Sequence, residues 1–233
     1  TLNLLKTMDK YKCTTLIFSS SATIYKPVKN RKLNEKDKVG PINIYGKTKL
    51  VIEDILQGIF NGSPEKWKIA NLRYFNPIGA HKSGKIGEDP IGDVNNIFPK
   101  IIDVANRKFE LLKIFGNDWG TPDGTCIRDY IHIMDLSVAH KKAIDYLFES
   151  TSSKLILNVG TGKSKSVLDL INIFEKVNKI KVNYEFAERR DGDIPLSIAD
   201  TNKILKTLNW KPNKTIEDMC KDGWRWQLNN SKK

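Results

Sequence analysis

The chain has 233 residues, 39% hydrophobic and 28% charged, with a formal net charge of +12. That length can bury a sizeable core in one or two domains, and no apolar stretch reaches membrane-spanning length or reads as a signal peptide. Three cysteines (Cys13, Cys126, Cys220) and three histidines (His81, His132, His140) are too scattered to suggest a disulfide framework or a metal site, and they fit a reducing cytosol.

The positive charge invites a nucleic-acid reading. The lysines are spread along the chain rather than gathered on one periodic face, so they read as solvated surface. Such a field still favours an anionic small molecule. The cations are 32 lysines and only 7 arginines. Where charge alone suffices, this chain uses lysine. Its arginines therefore mark places that need a planar fork, and Arg128, Arg189 and Arg190 are expected on phosphate or ribose.

Taken in order, residues 1–10 look like the tail of a helix (Leu2, Leu5, Met8). Residues 16–25 read as a buried strand ending in Ser19, Ser20 and Ser21 and an active-site turn. Residues 26–44 form a lysine-rich loop punctuated by Pro and Gly. Residues 45–60 have helical spacing (Val51, Ile52, Ile55, Leu56, Ile59), stopped by Asn61-Gly62 and Pro64. Residues 68–75 alternate into a strand that Asn76-Pro77 ends. Residues 79–93 suit a loop over a site, with a domain boundary near residue 77. Helices are expected over 95–106, 135–148, 166–177, 201–208 and 215–226, and strands over 110–115, 155–159 and 179–186. Ser166 and Asp169 have capping-box spacing. No internal repeat or low-complexity tract is present.

The chemistry concentrates at Tyr45 and Lys49, one helical turn apart on one face. A free tyrosine titrates near 10 and is a poor base at neutral pH. An ammonium at ~4 Å, with an effective dielectric of ~20, favours the phenolate by about 4 kcal/mol. That equals roughly three pKa units, enough to bring the phenol near 7. A serine at the end of the preceding strand can hold the hydroxyl that loses its proton. With this composition about one Tyr-x-x-x-Lys is expected by chance, and the second, Tyr25/Lys29, contains Pro27 and is no helix.

The strings SSSATIY (residues 19–25) and YGKTK (residues 45–49) resemble the extended short-chain dehydrogenase/reductase family, on its 4-epimerase branch. Further blocks look alike: Arg73-Tyr-Phe-Asn-Pro77, Gly79-Ala-His81, Gly87-Glu-Asp-Pro90, Asn95-Asn96, Phe115-Gly-Asn-Asp118, Arg128-Asp-Tyr-Ile-His132, Asn158-Val-Gly-Thr-Gly162, Arg189-Arg190 and Trp224-Arg-Trp226. The resemblance runs in order from Thr1 to about Asn229.

The fold implied is α/β: a Rossmann-type parallel sheet that binds NAD (residues 1–76, truncated at its N-terminus) and a smaller α/β nucleotide-sugar domain (residues 77–233), with segments crossing back. The activity implied is NAD-dependent interconversion of UDP-glucose and UDP-galactose through a 4-keto sugar, in galactose metabolism. A tightly held NAD would be reduced and reoxidised in each turnover. Tyr45 looks like the general base, Ser21 orients the 4'-hydroxyl, and Lys49 binds the nicotinamide ribose. Tyr74 flanks the nicotinamide. Ser21, Ala22, Thr23, Tyr74, Phe75 and Asn76 line the nucleotide-sugar site. So do Asn95, Asn96 and Ile97, then Lys113, Ile114 and Phe115 beside the uracil. Arg128 and Arg190 take the diphosphate and Asp193 the uridine ribose. The resemblance implies a homodimer, and no metal, nucleic acid or membrane enters.

Blander roles compete. Phe75 and Phe115 fit a core equally well, and Asn95-Asn96 fits a helix N-cap. His132, Trp224 and Trp226 read as structural. The glycine-rich turn that cradles a dinucleotide pyrophosphate does not precede Leu16, and Gly160-Thr-Gly162 comes late and lacks a third glycine. Val94 stands where the family carries proline. Ser197, a small residue beside the sugar, leaves room for an N-acetyl group. A dehydratase of the same family would place an acidic pair at Ala22 and Thr23. A non-catalytic UDP-binding or dimerising remnant, and a salt-sensitive nucleic-acid binder, are the readings from other classes.

Overall fold

The structure, a computed structural model, describes residues 1–92, 95–151 and 153–230. Val94 therefore lies outside the described residues. The elements in chain order are α1 (Leu2–Lys10), β1 (Thr15–Ser21), a 3-10 turn (Ala22–Ile24), α2 (Ile44–Gly62), β2 (Lys68–Tyr74), β3 (Asn76–Ile78), α3 (Ile97–Ala105), β4 (Leu112–Phe115), β5 (Ile127–Arg128), β6 (Tyr130–His132), α4 (Ile133–Glu149), β7 (Ser153–Val159), β8 (Lys165–Ser166), α5 (Val167–Asn178), β9 (Tyr184–Ala187), β10 (Leu196–Ser197), α6 (Asn202–Leu208) and α7 (Ile216–Asn230). They divide into two compact units. One comprises Thr1–Phe75, Ser137–Val159 and Ala199–Lys211. The other comprises Asn76–Leu136, Gly160–Ile198 and Pro212–Lys233.

In the first unit β1, β2 and β7 form a parallel sheet in the order β1-β2-β7. Parallel neighbours need a crossover, and α2 supplies it between β1 and β2. The register sets Ser21 beside Tyr74, and Tyr74 beside Val159, so the strands end in one row. Asn43 caps α2, its side chain accepting from the Gly46 N–H at 2.7 Å. The apolar stripe then buries Leu56 against Leu5, Trp67 and Ile69. Burying a leucine side chain contributes about 1.5–3 kcal/mol.

A polar network crosses this unit. Arg73, on the central strand, donates from Nε to Glu53 Oε1 at 3.0 Å and from a terminal nitrogen to Glu53 Oε2 at 2.6 Å. Both side chains are only 5% exposed. Ser20 Oγ donates to Glu53 Oε1 at 2.5 Å, and Arg73 also donates to the Tyr25 hydroxyl at 2.9 Å. That hydroxyl donates onward to Asn158 Oδ1 on β7 at 2.6 Å. Burial pushes the Tyr25 phenol up to about 12 despite the guanidinium beside it.

The second unit packs α3, α5 and α7 around Phe174, which meets Phe98 and Trp224 edge to face at 6.1 and 5.9 Å between centroids. Here β3 pairs with β6 and β4 with β9, both parallel, while β5 lies between β10 and β8. The capping box at Ser166 and Asp169 is formed in full. Trp224 is core, Trp226 donates to the Glu88 carbonyl at 3.0 Å, and His132 is fully buried against Asp222. Burial holds the His132 pKa below its ordinary value, outweighing that carboxylate.

Several expectations need correction. Asn76-Pro77 does not end the chain's extended course: β2 stops at Tyr74, and Asn76–Ile78 opens a strand paired to Tyr130–His132. Ile127–Arg128 form a further strand, β5, and the strand expected over 179–186 is only Tyr184–Ala187. Two-residue strands such as β5, β8 and β10 are too short to carry a period.

Arg73→Met leaves the Glu53 carboxylate buried without its counter-charge. We expect a loss of about 3–5 kcal/mol of unfolding free energy. The double variant Glu53→Leu/Arg73→Met loses clearly less. Urea denaturation of the three proteins measures both.

Candidate active site

β1 delivers Ser21 to the strand end, where its Oγ accepts from the Thr23 N–H at 3.2 Å and from Thr23 Oγ1 at 2.9 Å. Both acceptor positions are thereby used, and the Ser21 O–H is left to donate. Tyr45 lies in the first turn of α2 and is 56% exposed. Lys49 Nζ sits 5.5 Å from the Tyr45 ring centroid and 5.2 Å from that of Phe18, and it donates to the Ser19 carbonyl at 2.8 Å. The ammonium thus stands against the phenol ring and is anchored to β1. Tyr74, at the end of β2, donates to Ser19 Oγ at 2.6 Å and touches His140 Nε2. Burial raises the Tyr74 pKa, partly offset by the Ser19 bond, and the charge of Tyr45 raises it further. Ala22 is buried beside Ser21, and Phe75 is buried in a cluster with Ile24, Leu33 and Ala199. Phe75 is a core side chain in this unit.

Gly46 has a use that spacing alone does not reveal. A Cβ there would stand 2.5 Å from the Thr23 carbonyl oxygen and 2.8 Å from Pro41 Cβ. Only glycine lets the first turn of α2 lie against the turn that follows Ser21.

The ten remaining expected residues all lie in the second unit, and all ten line one cavity of about 590 Å³. Asn76 enters from β3. Asn95, Asn96 and Ile97 enter at the start of α3, with Asn96 at the N-cap position but making no side-chain cap bond. Lys113, Ile114 and Phe115 come from β4. Phe115 is 39% exposed, unlike Phe75, and Ile114 packs in the core. Arg128, on β5, donates to the Ile194 carbonyl at 2.7 Å. Asp193 accepts from Arg190 at 3.0 Å and lies 3.8 Å from Arg128. Two guanidinium forks therefore converge on one carboxylate, an arrangement that can receive a diphosphate. The Arg190 guanidinium lies 5.5 Å from the Phe115 ring centroid. Ser197 pairs with Arg128 across β10 and β5.

Arg189, expected with Arg190 on the ligand, is committed elsewhere. It donates to Asp118 at 2.7 Å and lies 4.2 Å from the centroid of the Trp119 ring. The Gly160-Thr-Gly162 turn also has a structural use. Asp129, fully buried, accepts from the Thr161 N–H and Oγ1 and the Gly162 N–H at 2.6–2.8 Å. This turn cradles the chain's own carboxylate. Sequence reasoning also missed Lys100, Phe109 and Cys126, which line the cavity. Burial raises the Cys126 pKa although Arg128 lies near.

Parallel strands that end in serine and tyrosine, beside a helix carrying Tyr-x-x-x-Lys, define the class of the short-chain dehydrogenase/reductase fold. A family profile described as GDP-mannose 4,6 dehydratase matches residues 1–223. UDP-glucose 4-epimerase of Bacillus subtilis is 46% identical over 230 residues, 99% of this chain and 67% of that protein. UDP-glucose 4-epimerase 2 of Oryza sativa is 46% identical over 99% of this chain and 56% of its own length. This chain belongs to that family, on its UDP-glucose 4-epimerase branch, and spans between about half and two thirds of these two relatives. Among solved structures it is similar to the UDP-glucose 4-epimerase of Stenotrophomonas maltophila with bound NAD and formylated UDP-arabinopyranose (TM-score 0.95, 40% identity, 99% of this chain and 68% of that one). It is equally similar to the Bifidobacterium longum enzyme in complex with NAD+ and UDP (TM-score 0.94, 41% identity, 99% and 68%).

Gly46→Ala decides between two effects of opposite sign. Helix propensity alone would favour alanine by about 1 kcal/mol. The contact with Thr23 and Pro41 predicts a net loss of about 1–3 kcal/mol, read by urea denaturation. A stabilised variant would contradict the close approach.

Proposed function

We propose that this chain carries the machinery for NAD-dependent epimerisation at C4 of a UDP-hexose, interconverting UDP-glucose and UDP-galactose through a 4-keto sugar. The observation that carries it is a pairing of chemistries within one chain. One unit holds Ser21 at the end of a parallel strand and Tyr45 and Lys49 in the first turns of α2. The other holds a cavity lined by paired guanidiniums, an acid, amides and an aromatic ring. The first unit, from Thr1 to Phe75 with its returning segments, is the part we assign to the cofactor, and the second the part we assign to the nucleotide sugar.

The residues suit the nicotinamide end of NAD. Ligands of parallel α/β sheets bind outside the carboxyl ends of the strands. There this chain offers the Lys49 ammonium and the Tyr45 and Tyr74 phenols, with Tyr45 exposed. When bound, NAD is the oxidant and then the reductant at C4. Tyr45 takes the proton of the 4'-hydroxyl and later returns it. Ser21, with its O–H free to donate, fixes the oxygen on which charge changes. Lys49 places its ammonium 5.5 Å from the Tyr45 ring centroid, beside the group that handles the proton. Arg128 and Arg190 grip the diphosphate and Asp193 the ribose, so that binding strength resides in UDP and the sugar can turn over.

The dehydratase alternative needs an acid and a base after the strand. Here Ala22 offers neither, and the Thr23 hydroxyl is spent on Ser21. A non-catalytic remnant would keep only the second unit's chemistry, whereas Tyr45, Lys49 and Gly46 keep the geometry of the first. Among the described residues no helix is long and apolar enough to cross a membrane. A cytosolic site is supported by three free cysteines. Homodimerisation is supported by the outward apolar residues Ile44 and Val51 of α2.

Tyr45→Phe is expected to lower the rate of UDP-galactose conversion by about 10²–10⁴-fold, while calorimetry shows UDP affinity unchanged. A variant of full activity would remove Tyr45 from the base role. The same assay with UDP-N-acetylgalactosamine is expected to show turnover, because Ser197 is small; turnover of the unacetylated sugar alone would refute the space argument.

A further inference from the structure

Among the described residues, one cation lining the cavity of the second unit has no carboxylate partner. Four cations line it. Arg128 and Arg190 share Asp193 at 3.8 and 3.0 Å, and Lys113 lies 3.9 Å from Glu185. Lys100 pairs with no carboxylate among the described residues. Its Nζ lies 4.9 Å from the centroid of the Phe109 ring. Lys100 also interrupts an otherwise apolar face of α3: Ile97, Lys100 and Val104 line the cavity at helical spacing. Phe109 and Leu111 continue that lining. A charge set among apolar groups, with no counter-charge among the described residues, calls for an acceptor on a ligand.

We infer that Lys100 is a specificity-determining residue that reads the nucleobase, donating to the 4-carbonyl of a uracil. This rests on the proposal that the cavity takes a UDP-sugar. The phosphates already have the two forks of Arg128 and Arg190, which suit bidentate oxyanions. Lys100 stands instead with Phe109, Leu111 and Val104, a lining that suits a flat base. An ammonium can only donate. Uracil presents an acceptor oxygen at ring position 4, where cytosine presents an amino donor. The same ammonium that holds uracil therefore opposes cytosine, giving selection by attraction and by repulsion at one atom.

Titration calorimetry with UDP and with CDP, on the unsubstituted chain and on Lys100→Met and Lys100→Arg, tests this. UDP binds more tightly than CDP to the unsubstituted chain. Lys100→Met raises the Kd for UDP about tenfold, the loss of one charge-assisted bond, and changes that for CDP less than about threefold. Lys100→Arg keeps the UDP value within about threefold, since the donor remains. An unchanged UDP affinity in Lys100→Met overturns the inference. An equal loss for UDP and CDP also overturns it, by assigning the ammonium to phosphate. If Lys100→Met does not fold by circular dichroism, Lys100→Leu, which also lacks a donor, is read the same way. Failure of the unsubstituted chain to bind UDP at all overturns the nucleotide-sugar reading itself, and the inference with it.

Discussion

Arg73 is a cation in the central strand of a parallel sheet, and the arrangement of the first unit follows from the need to answer it. A lone buried charge costs several kcal/mol. Here the Glu53 carboxylate meets it with two hydrogen bonds, and Tyr25 takes a third. Each partner brings a different element. Glu53 lies one turn beyond Lys49 and two beyond Tyr45 on the same helix. Ser20, which donates to Glu53, precedes Ser21. Arg73 precedes Tyr74. Satisfying one guanidinium therefore fixes where the Tyr45 phenol, the Lys49 ammonium, the strand-end Ser21 and the Tyr74 phenol stand relative to one another. Gly46 makes the last approach possible, since a side chain there would meet the Thr23 carbonyl.

The second unit answers charge differently. Asp129 accepts from the turn from Thr161 to Gly162, and Arg189 donates to Asp118, so these groups hold loops in place. Arg128 and Arg190 share one carboxylate between them, at one short and one long distance. That leaves donor capacity directed at whatever enters the cavity. Oxidation and return at one carbon requires a sugar held loosely and a nucleotide held firmly. In the proposed reaction, the guanidinium donors of the second unit suit that firm grip on the nucleotide.

Much of this was legible in the sequence. The helices carried clear 3.6-residue spacing, and the Ser166 capping box and the stop at Asn61-Gly62 marked their ends. Tyr45 and Lys49 were legible because their chemistry dictates their spacing. The short strands were not, because two or three residues have no period and owe their pairing to tertiary contacts. Arg189 and Arg190 show the limit for side chains: neighbours of identical type, one bound to Asp118 and the other lining the cavity. Phe75 and Phe115 were equally ambiguous, and burial separated them only once the strands were in place. Lys100 carried a local signal, a charge within an apolar helical stripe. The stripe shows that the charge is unusual, and only the folded wall shows what surrounds it.

Inversion at C4, as proposed, proceeds by oxidation and reduction at that carbon, with Tyr45 moving only the hydroxyl proton. The most direct measurement supplies NAD and UDP-galactose deuterated at C4 and follows the product by NMR. UDP-glucose with the deuterium retained at C4 is the expected product. Conversion with loss of that deuterium to solvent, or release of a dehydrated sugar, would contradict it.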